Sequence, residues 1–411
     1  MPIAAPVPAS YDRRQVGWLS LAQLITWGSV FYTFALLMEP VERELGLTRA
    51  ESSLGFSLAL LAEGLLAYPV GRLIDRGHER VVMAVGSLAV AAGLLLHSQI
   101  ASAAGFYAAW TLLGCALAAS LYNPVFAVVT RRYPHDYRRA IITLTFLGGL
   151  ASTVFIPLSA WLIATLGWRH ALWVLAALQL LVCLPIHVIS LRHAPKSVLV
   201  DTGAMASPRA HLRSPAFLLI GLFVVLMMAV TAALPAHMIS LLRENGLTEV
   251  WVIAIPASIG VVQVAGRLLL YFFEHHFDLH LANRLIPCLI PLGLTALLAG
   301  AGHPQAALLF VLLYGLGNGM LTIVKGTAMA QYVSREHVAS LNGAIGVPLA
   351  LARASAPLGL GLLWSAQTGY SVGLWVLLGL SVTGALMLHW AQRLALKPAA
   401  TIASVSAQPP A

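Results

Sequence analysis

Two short stretches decide how this chain is read: Glu44-Leu45-Gly46-Leu47-Thr48 and Glu244-Asn245-Gly246-Leu247-Thr248. Each follows a long apolar run and precedes another. The second run of each pair closes on the same triplet, Gly71-Arg72-Leu73 in one case and Gly266-Arg267-Leu268 in the other. One short match arises easily by chance; two in the same order, at the same place in each half, point to a duplicated unit.

The runs around these landmarks set the class. A transmembrane helix needs about 20 apolar residues, and on that rule about twelve spans are expected: 16–38, 52–71, 81–100, 104–129, 140–164, 170–191, 215–240, 250–272, 283–301, 305–331, 341–364 and 371–391. The composition agrees. The 411 residues are 59% hydrophobic and 9% charged, with a mean hydropathy of +0.84, whereas a soluble domain carries about a quarter charged residues. So few charges exclude a water-facing surface, and so much apolar content excludes disorder. Continuous runs of this length exclude the weak alternation of a β-barrel. The expectation is an all-α polytopic membrane protein, with twelve transmembrane helices in two six-helix pseudo-repeats. Its parts are a tail 1–15, a bundle 16–191, a linker 192–214, a second bundle 215–391 and a tail 392–411. The run Val16–Met38 is too long for a signal-peptide core and lacks a small-residue cleavage site, so it is read as a retained first helix.

The net charge of +9 is not a nucleic-acid footprint. The cations cluster between apolar runs, as Arg72, Arg76 and Arg80, as Arg131, Arg132, Arg138 and Arg139, and as Arg192, Lys196, Arg209 and Arg213. With both termini cytoplasmic, about seventeen Lys and Arg fall inside and four outside (Arg43, Arg49, Arg169, Arg243), which is how cytoplasmic loops are written. A bacterial inner-membrane location is expected. Cys115, Cys183 and Cys288 lie within apolar segments and are expected to pack as small hydrophobes.

The loop Gly71-Arg72-Leu73-Ile74-Asp75-Arg76-Gly77-His78-Glu79-Arg80 resembles the signature that joins helices two and three of the major facilitator superfamily, G-x-L-x-D-R-x-G-R-R. The resemblance implies a gating latch built on Gly71, Asp75, Arg76 and Arg80, with Gly71 allowing close helix approach and Asp75 accepting hydrogen bonds. His78 and Glu79 depart from the pattern. Arg138-Arg139-Ala140 before Gly148-Gly149, Gly46-Leu47-Thr48-Arg49-Ala50 and Gly167-Trp168-Arg169 are similar to the monocarboxylate and oxalate/formate porters of that superfamily. Helix one carries Thr26-Trp27-Gly28 where animal monocarboxylate carriers have an acidic-Gly-Gly-aromatic motif. Helix five carries Phe155-Ile156-Pro157-Leu158-Ser159, not the Gly-Pro-x-x-Gly-Gly of drug/proton antiporters. Two parallel six-helix repeats imply a substrate site at their interface near the midplane.

Charges retained inside spans are the informative residues, since each costs about 2.5–3.5 kcal/mol at a helix centre. Four stand out: Glu63, Arg267, Lys325 and Arg353. Glu63 and Arg353 lie near mid-depth, roughly 18 Å into their spans at 1.5 Å per residue, while Arg267 and Lys325 lie nearer the cytoplasmic ends, within snorkelling range. Three cations against one acid imply an anionic substrate, and a bidentate guanidinium suits a carboxylate. The porter resemblance implies essential cations in helices eight and eleven, which Arg267 and Arg353 match by helix. The superfamily fold sets helices two and eleven face to face, so Glu63 and Arg353 are expected to pair when no solute is bound. Tyr314, Asn318, Thr322 and Lys325 share one face of helix ten. Gln23, Thr26 and Trp27 form a shorter stripe on helix one, and Gln263 lies one turn before Arg267; Gln23, Trp27 and Gln263 join the candidate contacts. His237 is either a titrating group or a packed interior histidine. His275, His276, Asp278 and His280 match no zinc spacing. No nucleotide or hydrolase motif is present, so no cofactor is expected and transport draws on gradients. The expected function is secondary transport of a small organic anion, coupled to protons or to anion exchange, by a monomer. The alternatives are efflux of cationic drugs or, from another class, a membrane-embedded sensor or enzyme.

Overall fold

The computed structural model describes residues 11–133, 135–192, 209–273, 278–300, 302–334 and 338–396. Most of the linker (193–208, with Lys196) and the pair His275 and His276 lie outside them. Among the described residues twelve helices are long and apolar enough to span a membrane: α1 Arg13–Leu45, α2 Arg49–Asp75, α3 Glu79–Ser98, α4 Ala103–Arg132, α5 Arg139–Leu166, α6 Trp168–Ser190, α7 Pro215–Glu244, α8 Glu249–Leu269, α9 His280–Ala299, α10 Pro304–Tyr332, α11 Gly346–Leu363 and α12 Ser371–Ala395.

The repeated pentapeptide is a helical hairpin written twice. Gly46 ends α1 at φ 66°, and Gly246 follows α7 at φ 77°, the left-handed region that a β-carbon disfavours. Leu47 N then bonds back to Glu42 O (3.1 Å) and Leu247 N to Leu242 O (3.4 Å), which satisfies carbonyls the helix end leaves open. Thr48 opens α2 with a capping box: its side chain accepts from Glu51 N, and Glu51 returns to Thr48 N at 2.8 Å. We expect Thr48→Ala to lose about 1 kcal/mol, read as a lowered thermal midpoint in detergent; an unchanged midpoint would show that the cap carries no stability. The duplication reaches the tertiary structure as well. Glu44 accepts from the indole of Trp168 at 2.9 Å and Glu244 from that of Trp364 at 2.7 Å, the same bond in each half.

Several helices run beyond their expected ends. α1 continues through Glu39, Glu42 and Arg43 to Leu45, because Glu39 and Glu42 are met by arginines where they leave the apolar layer. Buried side chains gather in two clusters. One runs from Val16 to Leu191 with a few residues from α7 and α11; the other runs from Phe217 to Ala391 with Ala35, Leu36 and Ile156. Lipid is as apolar as leucine, so close backbone approach and van der Waals contact hold such helices together. At Gly114 a β-carbon would stand 2.5 Å from Ala59 Cα, and at Gly319 2.8 Å from Gln263 Cα. In the first half, Phe34 stacks on Phe56 at 4.5 Å while Trp110 meets Phe34 edge-on at 4.9 Å.

Two seams join the halves. Along α2 and α11, Leu358 N donates to Ser57 Oγ (3.1 Å) and Gly64 lies against Ala350. Along α5 and α8, Thr153 Oγ1 donates to Ala257 O (2.7 Å) and Gly260 abuts the Gly149 carbonyl. The helices are interrupted by a π-helical turn at Trp27–Tyr32 in α1, another at Gln179–Cys183 in α6, and a break in α4 between Ala118 and Tyr122. π-turns cluster at functional sites.

Candidate functional site

Between the halves lies a cavity of about 150 Å³. Helix α1 supplies Trp27, Phe31 and Tyr32 through its π-turn, and α4 supplies Tyr122 from just after its break. Gly148 and Gly149 of α5, Met228 and Thr231 of α7, and Gln263 and Arg267 of α8 continue the wall; Tyr314, Asn318 and Arg353 complete it. The lining is mostly apolar and aromatic with a few converging polar groups, the usual make-up of a small-molecule site.

Six of the ten candidate contacts line this cavity: Trp27, Gln263, Arg267, Tyr314, Asn318 and Arg353. Glu63 stands behind Arg353, paired with it at 3.4 Å, and its side chain is 7% exposed. Lys325 reaches Met228 Sδ (3.2 Å), a lining side chain, without lining the cavity itself. Two candidates lie elsewhere. Gln23 is buried and donates to Ser120 O (2.6 Å), tying α1 to α4, and Thr322 is exposed and bonds back to Gly319 O within its own helix.

Arg267 does not snorkel. Its Nη1 donates to Thr145 O (2.6 Å) across the interface and its Nε to Gly319 O (3.2 Å). Two of its five donors are thereby fixed, which aims the guanidinium, and no carboxylate partners it among the described residues. Two further polar atoms, Trp27 Nε1 and the Tyr314 hydroxyl, are buried without a hydrogen-bond partner. The lining residues that sequence reasoning missed are chiefly aromatic or apolar: Phe31, Tyr32, Tyr122 and Met228, with Thr231.

At the end remote from the linker the halves are sealed. Arg243 of α7 pairs with Glu39 of α1 and with Glu249 (2.7 Å). Arg49 of α2 pairs with Glu42 (3.1 Å), donates to the Tyr370 hydroxyl (2.8 Å) and lies 5.2 Å from the Trp364 ring centre. The Pro357 carbonyl can only accept, so the neutral His237 carries its proton on Nε2 and donates it there (3.0 Å), and its Nδ1 accepts the Tyr370 hydroxyl proton (2.9 Å). His237 is therefore the packed, fully bonded histidine of the two readings. Arg49 and Arg243, read as loop charges, belong to this seal.

Among the described residues the linker end carries no matching latch. Nothing lies within 4 Å of a β-carbon placed on Gly71, so the close approach expected there is not made. Asp75, Arg76 and Arg80 are exposed, and no described partner contacts the Asp75 carboxylate. The acid at the centre of the arginine cluster is Glu79 instead. It is fully buried, accepts from Arg132 Nε (2.6 Å) and pairs with Arg131 (3.5 Å), while Arg132 also reaches the Arg192 carbonyl (3.2 Å). The residue that departs from the signature thus organises the loop within the first half. Of the cysteines only Cys183 is fully buried; Cys115 and Cys288 are half-buried. Among the described residues no group of His, Cys, Asp or Glu is placed to hold a metal.

The comparisons fit this architecture. The chain is similar in structure to a point mutant of the nucleoside transporter NupG, with a TM-score of 0.74 at 15% identity, covering 92% of this chain and 99% of that one. It is also similar to a bacterial homologue of the human lysosomal transporter Spinster in an inward-facing, unoccupied conformation, with a TM-score of 0.72 at 16% identity, covering 94% and 99%. At these identities the likeness is one of fold. No curated protein matches the sequence. Residues 19–276 match the model of the Major Facilitator Superfamily, well over half of the chain, and the chain belongs to that superfamily of membrane transporters, not enzymes.

Proposed function

We propose that this transporter moves a small organic anion, a carboxylate, by rocking the two halves about the central cavity. The observation that carries the reading is Arg267, a guanidinium lining the cavity with no carboxylate to neutralise it among the described residues, with Lys325 behind the wall equally without one. Against these and Arg353 stands a single acid, Glu63. An unpaired charge in a low-dielectric interior is costly, and an anionic solute removes that cost on binding. A cationic drug would add to it. The linker end, unlatched and rich in arginine, is read as the cytoplasmic side of a bacterial inner membrane, so the sealed end faces outward. Uptake of radiolabelled carboxylates and of a cationic drug into proteoliposomes, with and without an imposed pH gradient, tests the reading; transport of the drug alone would overturn it.

Coupling is assigned to the Glu63–Arg353 pair. A proton on Glu63 or an anion on Arg353 breaks the pair, and the α2–α11 seam runs through it. Glu63→Gln and Arg353→Gln are each expected to lower gradient-driven uptake at least about tenfold, with the double variant no worse than the poorer single, as residues acting as a unit are non-additive. Full activity in either single variant would remove the pair from the mechanism.

A further inference from the structure

The glycine pair of α5 makes room for two of the cavity's side chains at once. A β-carbon on Gly148 would stand 3.1 Å from Cζ of Tyr122, and one on Gly149 would stand 3.1 Å from Nη1 of Arg267. Neighbouring glycines therefore set a phenol ring and a guanidinium side by side. Tyr122 is itself one layer of an aromatic wall. Its ring is stacked on Phe126 (centroids 5.1 Å, 14° between planes), and Trp27 packs against it at 5.0 Å. Phe31 touches Trp27 at 5.0 Å and Tyr32 follows at 5.5 Å. The second half contributes Tyr314, stacked on Phe310 and fully buried, with its hydroxyl unpartnered.

We propose that the cavity takes a monoanionic solute with a flat aromatic ring, an aromatic monocarboxylate, with its carboxylate on Arg267 and its ring against the Trp27–Tyr122 wall. This deepens the organic-anion reading and rests on it. Single charge follows from the cations: among the described residues Arg267 is free of acids, Arg353 is already held by Glu63 at 3.4 Å, and Lys325 stands behind Met228 without lining the cavity. A second carboxylate would have to expel Glu63, displace Met228 to reach Lys325, or lie against Phe31 and Ile156. A flat ring follows from the walls, since aromatic faces prefer offset or edge-on rings over saturated ones. The unpartnered Trp27 Nε1 is a donor only, so the solute carries an acceptor beyond its carboxylate, and a ring hydroxyl supplies it.

The test is equilibrium binding to the purified full-length protein by calorimetry, with five probes: benzoate, 4-hydroxybenzoate, cyclohexanecarboxylate, terephthalate and benzamide. Both aromatic monoacids are expected to bind, the hydroxylated one more tightly. Cyclohexanecarboxylate, with the same charge but no flat ring, is expected to bind about tenfold more weakly. Terephthalate is expected to lose about tenfold, and benzamide, uncharged, about a hundredfold. Tyr122→Leu should bring the benzoate/cyclohexanecarboxylate ratio close to one and leave the benzoate/benzamide ratio in place. Should that variant not fold, the ratios in the unaltered protein decide alone. Cyclohexanecarboxylate binding as tightly as benzoate overturns the ring and leaves the anion reading standing. Benzamide binding as tightly as benzoate overturns the anion reading itself. Absence of binding by both aromatic acids overturns the proposal.

Discussion

Arg267→Gln is expected to reduce anion uptake by at least about tenfold while the protein still folds. The expectation follows from what the side chain does in the cavity wall. Two of its donors are spent on the carbonyls of Thr145 and Gly319, and those bonds fix the guanidinium plane before any solute arrives. A carboxylate then meets donors that need no reorganisation. Charge-assisted hydrogen bonds are worth about 1.5–3 kcal/mol each, so losing one or two removes about ten- to ten-thousandfold in affinity. Glutamine keeps enough length to bond one of the two carbonyls, which limits the loss of stability. Arg267→Lys keeps the charge but not the fork, and a point charge does not replace a planar donor pair; it is expected to recover no more than about a tenth of the lost activity. Arg353→Gln should act differently, through coupling, because Glu63 already holds that guanidinium. Uptake and ligand-induced thermal stabilisation measured on the same preparations check the expectation. An Arg267→Gln protein that transports at the normal rate would show that the unpaired cation is not the anion's partner.

The parts of this site that were legible in the sequence are those where chemistry contradicts its surroundings. A charge in an apolar run announces itself, and three of the four intramembrane charges line the cavity or pair with a residue that does. The repeated pentapeptide was legible because glycine and threonine mark a left-handed turn and a helix start wherever they occur in that order. Aromatic lining was not legible. Tyr32 and Tyr122 sit in apolar segments where an aromatic residue is unremarkable, and only the rotation of the helix decides which faces inward. That rotation was itself hidden. Gln23, Thr26 and Trp27 form one stripe on a helix that stays α-helical up to Trp27, but different neighbours divide the stripe. Gln23 donates to Ser120 O of α4 and Thr26 accepts from Gln179 of α6, while Trp27 faces the cavity. The loop signature marks positions and says nothing of burial, so it did not reveal that the buried acid of this loop is Glu79.

Arg49→Gln should move the protein out of the sealed state. Its partnerships fall into two groups. Glu42 belongs to the same half, so the loss of that pair weakens every conformation about equally and cancels from the balance. The bond to the Tyr370 hydroxyl and the stacking over Trp364 cross to the other half and exist only while the remote end is closed. A hydrogen bond to a charged group contributes about 1.5–3 kcal/mol and a partly desolvated cation–π contact about 0.5–2 kcal/mol. Together they change the ratio of sealed to open protein by about thirty- to several-thousandfold, because each 1.4 kcal/mol is a factor of ten. The balance is also felt through His237 of the second half, which Tyr370 orients and whose Nε2 meets Ser53 Oγ of the first half at 3.3 Å. Tyr370→Phe, which keeps the ring and removes the hydroxyl, is therefore expected to shift the balance in the same direction by a smaller amount. Paired spin labels at the exposed positions Ala101 and Val372, one in each half at the sealed end and in a background without Cys115, Cys183 and Cys288, read the separation directly. The unaltered protein should give one short distance and Arg49→Gln a dominant longer one. A folded Arg49→Gln protein with the unaltered distance distribution would mean that the seal is held by Glu39 and Arg243 and that Arg49 only decorates it.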